Sequence, residues 1–351
     1  MRILQVITLS ELGGAQTVVI NLANILANFG NEVIVAAGEG DGKMFKELDA
    51  SVKPEHLPSL VRRLSPVNEF KTIMEMRRLY QKYHPDVIHL HSSKAGMLGR
   101  IAFPRHKVVY TVHGFDSIRI AYRKFLPLEK LLQRRCAAIV GVSRYDECNL
   151  RAEGITHNVS MVYNGIAMPR EPESNPMSNI KGFKGKVLCI ARMASPKNYS
   201  LYIKVAKRLP DIAFIWIGNM EPPAFDYPDN MFFLGNIQGA GSYIRYADIF
   251  MLPSNYEGLP MVIIEALANG TPVIASDVGG ISELLDGKNG YAIENDAYKM
   301  AAKVEEIISL TQKDRQKMVD NAIATYQRLF TVELMVEGYL KIYNQVHHKK
   351  L

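Results

Sequence analysis

Two carboxylates, Glu257 and Glu265, stand eight positions apart in the stretch from Pro253 to Leu285 and have the clearest chemistry in the chain. Glu257 opens the run Glu257-Gly258-Leu259-Pro260, in which Gly and Pro exclude regular structure. From Met261 to Ala268 the residues Val262, Ile263, Ile264, Ala266 and Leu267 predict a buried helix, closed by Asn269-Gly270. Glu265 is the ionisable residue within it. A carboxylate among aliphatic neighbours is costly unless it is exposed or partnered. The first amides of a helix are unpaired and lie at the positive end of its dipole, so they attract anions. Loop carboxylate, helix-start amides and a second carboxylate suit a ligand with hydroxyls at both ends and phosphate between, as in a nucleotide sugar. The same pattern also describes a buried helix with one solvent-facing Glu.

Other groups could complete such a site. Arg192 and Lys197 lie on a loop after a predicted strand, Lys186 to Ala191. Spaced five apart, they can converge on one diphosphate, Arg through its fork and Lys as a point charge; they can equally be two surface charges. Gly13 and Gly14 sit between a predicted strand, Arg2 to Thr8, and a helix, Ala15 to Phe29, with Glu32 to Ala37 as the next strand. Without Cβ atoms their amides can approach a phosphate closely, although a plain strand-to-helix turn would read the same. The turn is GGAQ, not GxGxxG, which argues against a dinucleotide oxidoreductase. His113 ends the strand from Lys107 to Val112, a place where parallel sheets collect catalytic groups. A structural histidine is the other reading.

These motifs have a family look. EGLPMVIIEALANGTPVIAS, continued by DVGGISELL, resembles the signature of retaining glycosyltransferases of family 4, which have the GT-B fold. TVHG at 111–114 and the Arg-x4-Lys spacing of Arg192 and Lys197 resemble the same family. The resemblance implies an α/β chain of two Rossmann-like domains facing across a cleft, with a final helix crossing back to the first. It implies donor phosphates at Arg192 and Lys197, and donor-sugar hydroxyls at Glu257. Glu265 would hold the ribose, and Gly258, Leu259, Pro260 and Met261 would complete the helix-start region. Asn236 and Ile237 would form the nucleobase loop, Gly13 and Gly14 would lie against the diphosphate, and His113 would line the cleft beside the transferred sugar. Catalysis would rest on Glu257, His113, Arg192 and Lys197, with no metal and no cofactor beyond the nucleotide-sugar co-substrate. A UDP-sugar is favoured, although the residues themselves leave uracil and guanine open. A nucleotide-sugar epimerase, a phosphorylase or a non-catalytic nucleotide-sugar-binding module would share the fold.

The elements that must position these groups follow from length and composition. The 351 residues suggest two domains, and a hydrophobic share of 48% is ample for two cores. Residues 1–168 read as the acceptor-side domain. Residues 169–185, MPREPESNPMSNIKGFKG with Met168, lack apolar periodicity and read as a linker. Residues 186–330 read as the nucleotide-sugar domain and 331–351 as the returning helix. No apolar run is long enough to span a membrane. MRILQVITL reads as a first strand, not a leader, and three cysteines without metal spacing suit a reducing cytoplasm.

The net charge of +7 is lopsided: residues 1–170 hold 23 Lys/Arg against 15 Asp/Glu. That half should favour anionic partners. Ser117 to Cys136 interleaves cations with apolar residues and reads either as a membrane-surface helix or as a solvated face over a core. No nucleic-acid-binding signature is present. The expected acceptor is therefore a glycan or polyprenyl-diphosphate-linked glycan of capsule, O-antigen or exopolysaccharide type. The expected location is cytoplasmic, peripheral on the inner face of an anionic membrane.

Overall fold

The computed structural model describes residues 1–193, 195–218 and 226–348. The chain forms two compact units: Met1–Gly165 together with the chain from Val332 onward, and Ile166–Thr331.

In the first unit strands and helices alternate: β1 (Arg2–Ile7), α1 (Gly14–Asn28), β2 (Glu32–Ala37), α2 (Lys43–Lys46), β3 (Lys53–His56), α3 (Pro66–Tyr83), β4 (Val87–His91), α4 (Ser93–Ala102), β5 (Val108–Val112), α5 (Leu126–Leu132), β6 (Ala138–Gly141), α6 (Arg144–Ala152) and β7 (Val159–Met161). The strands make a parallel sheet in the order β3-β2-β1-β4-β5-β6-β7. The chain leaves β1 toward one edge and returns to its other side as β4, so the switch point lies between β1 and β4. Ligands of such sheets bind outside the carboxyl ends of the strands there. β1, β4 and β5 are almost wholly buried, as continuous apolar runs covered on both faces should be. α3 begins three residues before its apolar periodicity because Ser65 caps it: its hydroxyl accepts from Asn68 N, Glu69 reaches back to Ser65 N, and Pro66 fills the first turn.

The second unit repeats the scheme with β8 (Lys186–Ile190), α7 (Tyr199–Arg208), β9 (Ala213–Ile217), β10 (Met231–Phe233), β11 (Ile249–Leu252), α8 (Met261–Ala268), β12 (Val273–Ser276), β13 (Gly290–Ile293), α9 (Ala297–Ile308) and α10 (Gln312–Leu329). Its parallel sheet runs β10-β9-β8-β11-β12-β13, with the switch point between β8 and β11. The Pro-rich stretch after Ile166 lies within this unit, with Met177 fully buried and accepting from Lys186 Nζ through its carbonyl. α8 can be apolar nearly all round because α10 and a 3-10 helix, Ala240–Tyr246, pack against it.

The last helix, α11 (Val332–His348), belongs to the first unit. Its buried Tyr339 and Tyr343 reach the polar side chains of β4 and β5: Tyr343 Oη lies 2.6 Å from His89 Nδ1, and Tyr339 Oη 3.1 Å from Thr111 Oγ1.

The segment 117–136 does not form one amphipathic helix. It breaks into a π turn (Ser117–Ala121), 3-10 turns (Arg123–Phe125 and Gln133–Arg135) and the short α5. Its apolar side chains Ile118, Leu126 and Leu132 are buried, and Glu129 pairs with fully buried Arg100 at 2.6 Å. Arg119 bonds Asp116 and Tyr145, while Arg123 and Lys130 both face Glu153. Four of its charged residues thus serve the fold, while Ile120, Tyr122 and Leu131 of the same segment are 56, 54 and 74% exposed.

Candidate active site

The loops after β8 and β11 meet at the switch point of the second unit. Lys197 and Ser254 form an antiparallel bridge, Asn198 N donates to Pro253 O at 3.0 Å, and Asn255 N donates to Pro196 O at 2.9 Å. This brings two of the expected site residues together: Lys197 Nζ pairs with Glu257 Oε1, and Ser254 Oγ donates to the same oxygen at 2.6 Å. Both partners are largely buried, with side chains 19% and 11% exposed, so this pair is poorly screened by solvent. Arg192, after β8, is exposed and has no ion-pair partner among the described residues. A free guanidinium and a paired ammonium thus flank the same strand end.

The backbone of the Glu257 loop is held from below. Gly279 takes φ +61°, and a Cβ there would collide with Glu257 O; Gly280 N donates to Gly258 O at 2.8 Å. The two glycines after β12 are therefore a close-approach site for the carboxylate loop. Further support comes from Ser276 and Asn295: Ser254 N donates to Ser276 Oγ at 2.8 Å, and Asn295 Nδ2 to Ser254 O at 3.0 Å. Leu259 and Pro260 are buried, Gly258 is half-buried, and Pro260 caps α8 without a side-chain hydrogen bond, so Met261 starts the helix with its dipole open.

Glu265 is different from Glu257. Its carboxylate lies over Gly241, where an added Cβ would strike it, and it has no hydrogen-bond or ion-pair partner among the described residues. Burial without compensation pushes its carboxyl up to about 7. Asn269 ties the two elements together by donating to Gly241 O at 3.0 Å and Glu265 O at 2.8 Å. Asn236, exposed, and Ile237, half-buried, lie on the loop between β10 and the 3-10 helix that carries Gly241.

In the first unit, Gly13 is the N-cap of α1 and Gly14 its first residue, exposed and following β1. The loop after β4 is held to the end of β1 by Thr8 Oγ1 and Ser92 Oγ, 2.6 Å apart, with Ser92 at φ +67°. His113 follows β5 and is half-buried, and burial moves its ring down to about 4. Its Nε2 lies 3.0 Å from Nδ1 of fully buried His91. No hydrogen bond among the described residues joins Gly13 or Gly14 to His113.

Reading the sequence alone passed over His91, Ser254 and Gly241. The alternation in Val87-Ile88-His89-Leu90-His91 puts both histidines on one strand face, and that was an available signal. Gly241 carried none, since its partner is 24 residues away. Among the described residues no group of three or more His, Cys, Asp or Glu is placed to hold a metal ion.

Comparison with known proteins bears on both units. The family description "Glycosyltransferase Family 4" matches residues 12–169, and "Glycosyl transferases group 1" matches residues 171–325. The chain is a family 4 glycosyltransferase. Its relatives include the O-antigen biosynthesis glycosyltransferase WbnH of Escherichia coli, 27% identical over 324 residues, covering 90% of this chain and 92% of the relative. A UDP-Gal:alpha-D-GlcNAc-diphosphoundecaprenol alpha-1,3-galactosyltransferase of Escherichia coli is also 27% identical, covering 81% of each chain. Among solved structures, sucrose-phosphate synthase from Thermosynechococcus elongatus aligns with a TM-score of 0.85 at 20% identity, covering 99% of both chains. Anabaena HepE, solved with UDP and glucose, aligns at 0.82 and 19% identity, covering 98% of this chain and all of that one. The glycosyltransferase thus has the GT-B fold, as its motifs implied.

Proposed function

We propose that this glycosyltransferase moves a sugar, with retention at the anomeric carbon, from a UDP-sugar held by the second unit to a lipid-linked glycan. The observation that carries the donor half is Glu265: a half-buried carboxylate over Gly241 with no partner among the described residues, beside the loop of Asn236 and Ile237. Ribose hydroxyls would donate to it and favour its ionised form, while backbone groups of that loop read the base. Arg192 and Lys197 would receive the diphosphate and stabilise the charge that develops on it as the glycosidic bond breaks. Amides from Gly258 to Met261 (Pro260 excepted, having no N–H) would add to that field. Phosphate on Lys197 would free Glu257 from its ion pair for the sugar hydroxyls. Gly13 and Gly14 would lie against the donor, and His113 against the transferred sugar. The relatives named for O-antigen assembly and for a diphosphoundecaprenol-linked acceptor support an acceptor of that class.

A thermal-shift screen of nucleotide sugars tests the donor half. A UDP-sugar should raise the melting temperature by mass action, and the rise should shrink in Lys197→Ala. No response to any nucleotide sugar would overturn the reading. Product NMR decides between retention and inversion.

The surface that supports membrane association is on α3. Val67, Phe70 and Met74 are 62, 67 and 38% exposed at helical spacing, with Leu64 at 60% just ahead. Exposed Lys71, Arg77 and Arg78 continue the same face, and exposed Arg62 and Arg63 line a cavity of about 400 Å³ with Leu9, Glu11 and Glu39. An apolar stripe beside cations suits the interface of an anionic bilayer. No described helix is long and apolar enough to cross one. Flotation with anionic liposomes at low salt should recover the wild-type protein and lose most of Phe70→Asp; equal recovery would remove α3 from the contact.

A further inference from the structure

His91 is a buried, titratable side chain that the reading above leaves unused. It ends β4, paired in register with Thr111 of β5, and His113 follows two residues later. The two rings lie nearly parallel, 21° between planes, with centroids 5.3 Å apart. The ring of His89 also packs on His91, with centroids 3.8 Å apart. His89 is itself fixed at both nitrogens, by Tyr343 Oη at 2.6 Å and by Thr111 Oγ1 at 2.7 Å. The polar groups of α11, β4 and β5 therefore set where His91 can point, and it points at His113.

The 3.0 Å separation of His91 Nδ1 and His113 Nε2 requires one proton between two nitrogens. Burial disfavours the charged form of both rings. Two neutral arrangements remain. If His113 donates from Nε2, His91 must carry its own proton on Nε2. That atom is buried and has no partner among the described residues, so an N–H would be orphaned. If His91 donates from Nδ1, its Nε2 keeps only a lone pair. Buried N–H groups without an acceptor are the rarer case in folded proteins. The second arrangement leaves His113 with its proton on Nδ1, which has no protein partner among the described residues.

We propose that His91 is a positioning residue: its Nδ1–H donates to His113 Nε2 and fixes His113 in the tautomer that offers Nδ1–H to a hydroxyl of the transferred sugar. This rests on the reading that His113 meets that sugar. His113 then acts as a neutral hydrogen-bond donor, already in the right tautomer before the donor arrives, and no proton is transferred in its use. His91 touches neither substrate, and its effect passes through one hydrogen bond.

Ring-nitrogen chemical shifts of the full-length, 15N-histidine-labelled protein at neutral pH report the tautomer directly. His113 should appear as the Nδ1–H form; the Nε2–H form would overturn the proposal. His91→Leu removes the donor and should lower kcat about tenfold, the size of one lost hydrogen bond in the transition state, with the donor KM nearly unchanged. His91→Asn places an amide donor near the position of Nδ1 and should recover most of that loss. Equal losses in both variants would reduce His91 to packing and overturn the donor role. Should His91→Leu fail to fold, the wild-type shifts alone decide. The reading beneath has its own outcome: His113→Ala at wild-type turnover would sink the sugar contact whatever the ring shifts show. A damaged His113→Ala together with the Nε2–H form would overturn the role of His91 alone.

Discussion

In the first unit the polar side chains of β4 and β5 bond one another and the tyrosines of α11, whereas in the second the strand-end loops hold a Lys197–Glu257–Ser254 cluster with Arg192 and Glu265 outside it among the described residues. His89, Thr111, Tyr339 and Tyr343 form a closed buried network, and His113 leans on His91. Across the switch point of the second unit, Lys197 and Glu257 hold each other, and among the described residues Arg192 has no ion-pair partner and the Glu265 carboxylate no hydrogen-bond partner. Both sheets are wound the same way around a switch point. The difference lies in what covers the site. The first unit gains α11, whose tyrosines fill the hydrogen bonds of β4 and β5. In the second, Arg192 and Glu265 are left beside the ion pair at the strand ends, and groups of that kind favour a ligand that completes them.

That contrast can be broken most decisively at Lys197. Lys197→Ala removes the cation and leaves Glu257 with Ser254 as its remaining partner; kcat/KM for the donor should fall by about 100-fold or more, read as release of nucleoside diphosphate. A rate near wild type would mean that the ion pair is merely structural. Glu265→Gln should have a smaller and pH-dependent effect. Burial lifts the Glu265 carboxyl from 4.5 to about 7, so the unliganded fold favours its protonated form. The stability it contributes is complete below its ordinary pKa and is lost as pH rises through 7. At pH about 8 the glutamine variant should therefore be more stable than wild type without ligand, by on the order of 1–2 kcal/mol, yet bind UDP more weakly. Melting curves at about pH 5 and pH 8 check the sign, and a variant less stable at the higher pH would contradict it. Smallest is Tyr343→Phe, which removes the hydroxyl at His89 Nδ1 and should cost about 1 kcal/mol of stability. Isothermal titration with UDP should give wild-type affinity for that variant; weaker UDP binding would show that the network of the first unit reaches into donor binding.

Much of this architecture was legible in the letters because it is local. The apolar run from Met261 to Ala268 gave α8 with its observed ends, and the Gly-Pro punctuation at 257–260 is a loop. Less legible were features set by strand register. His91 and His113 are 22 residues apart and Lys197 and Glu257 are 60 apart; parallel pairing of β4 with β5 brings the first couple together, and the antiparallel bridge of Lys197 with Ser254 the second. β3 escaped notice because Lys53-Pro54-Glu55-His56 is an exposed edge strand with little apolar signal. In the segment 117–136, alternation of cations and apolar residues does not reveal whether carboxylates from outside it will claim the cations. Here Asp116 and Glu153 do.

The place of α11 also has a consequence for synthesis. The first unit is left incomplete when the ribosome passes Gly165, since Tyr339 and Tyr343 have not been made. At about 5–20 residues per second, the whole second unit intervenes for on the order of ten seconds or more before those tyrosines emerge. During that interval His89 and Thr111 lack the hydroxyl partners that α11 supplies. A ribosome stalled anywhere in the second unit would therefore hold two unfinished domains, not one finished and one begun.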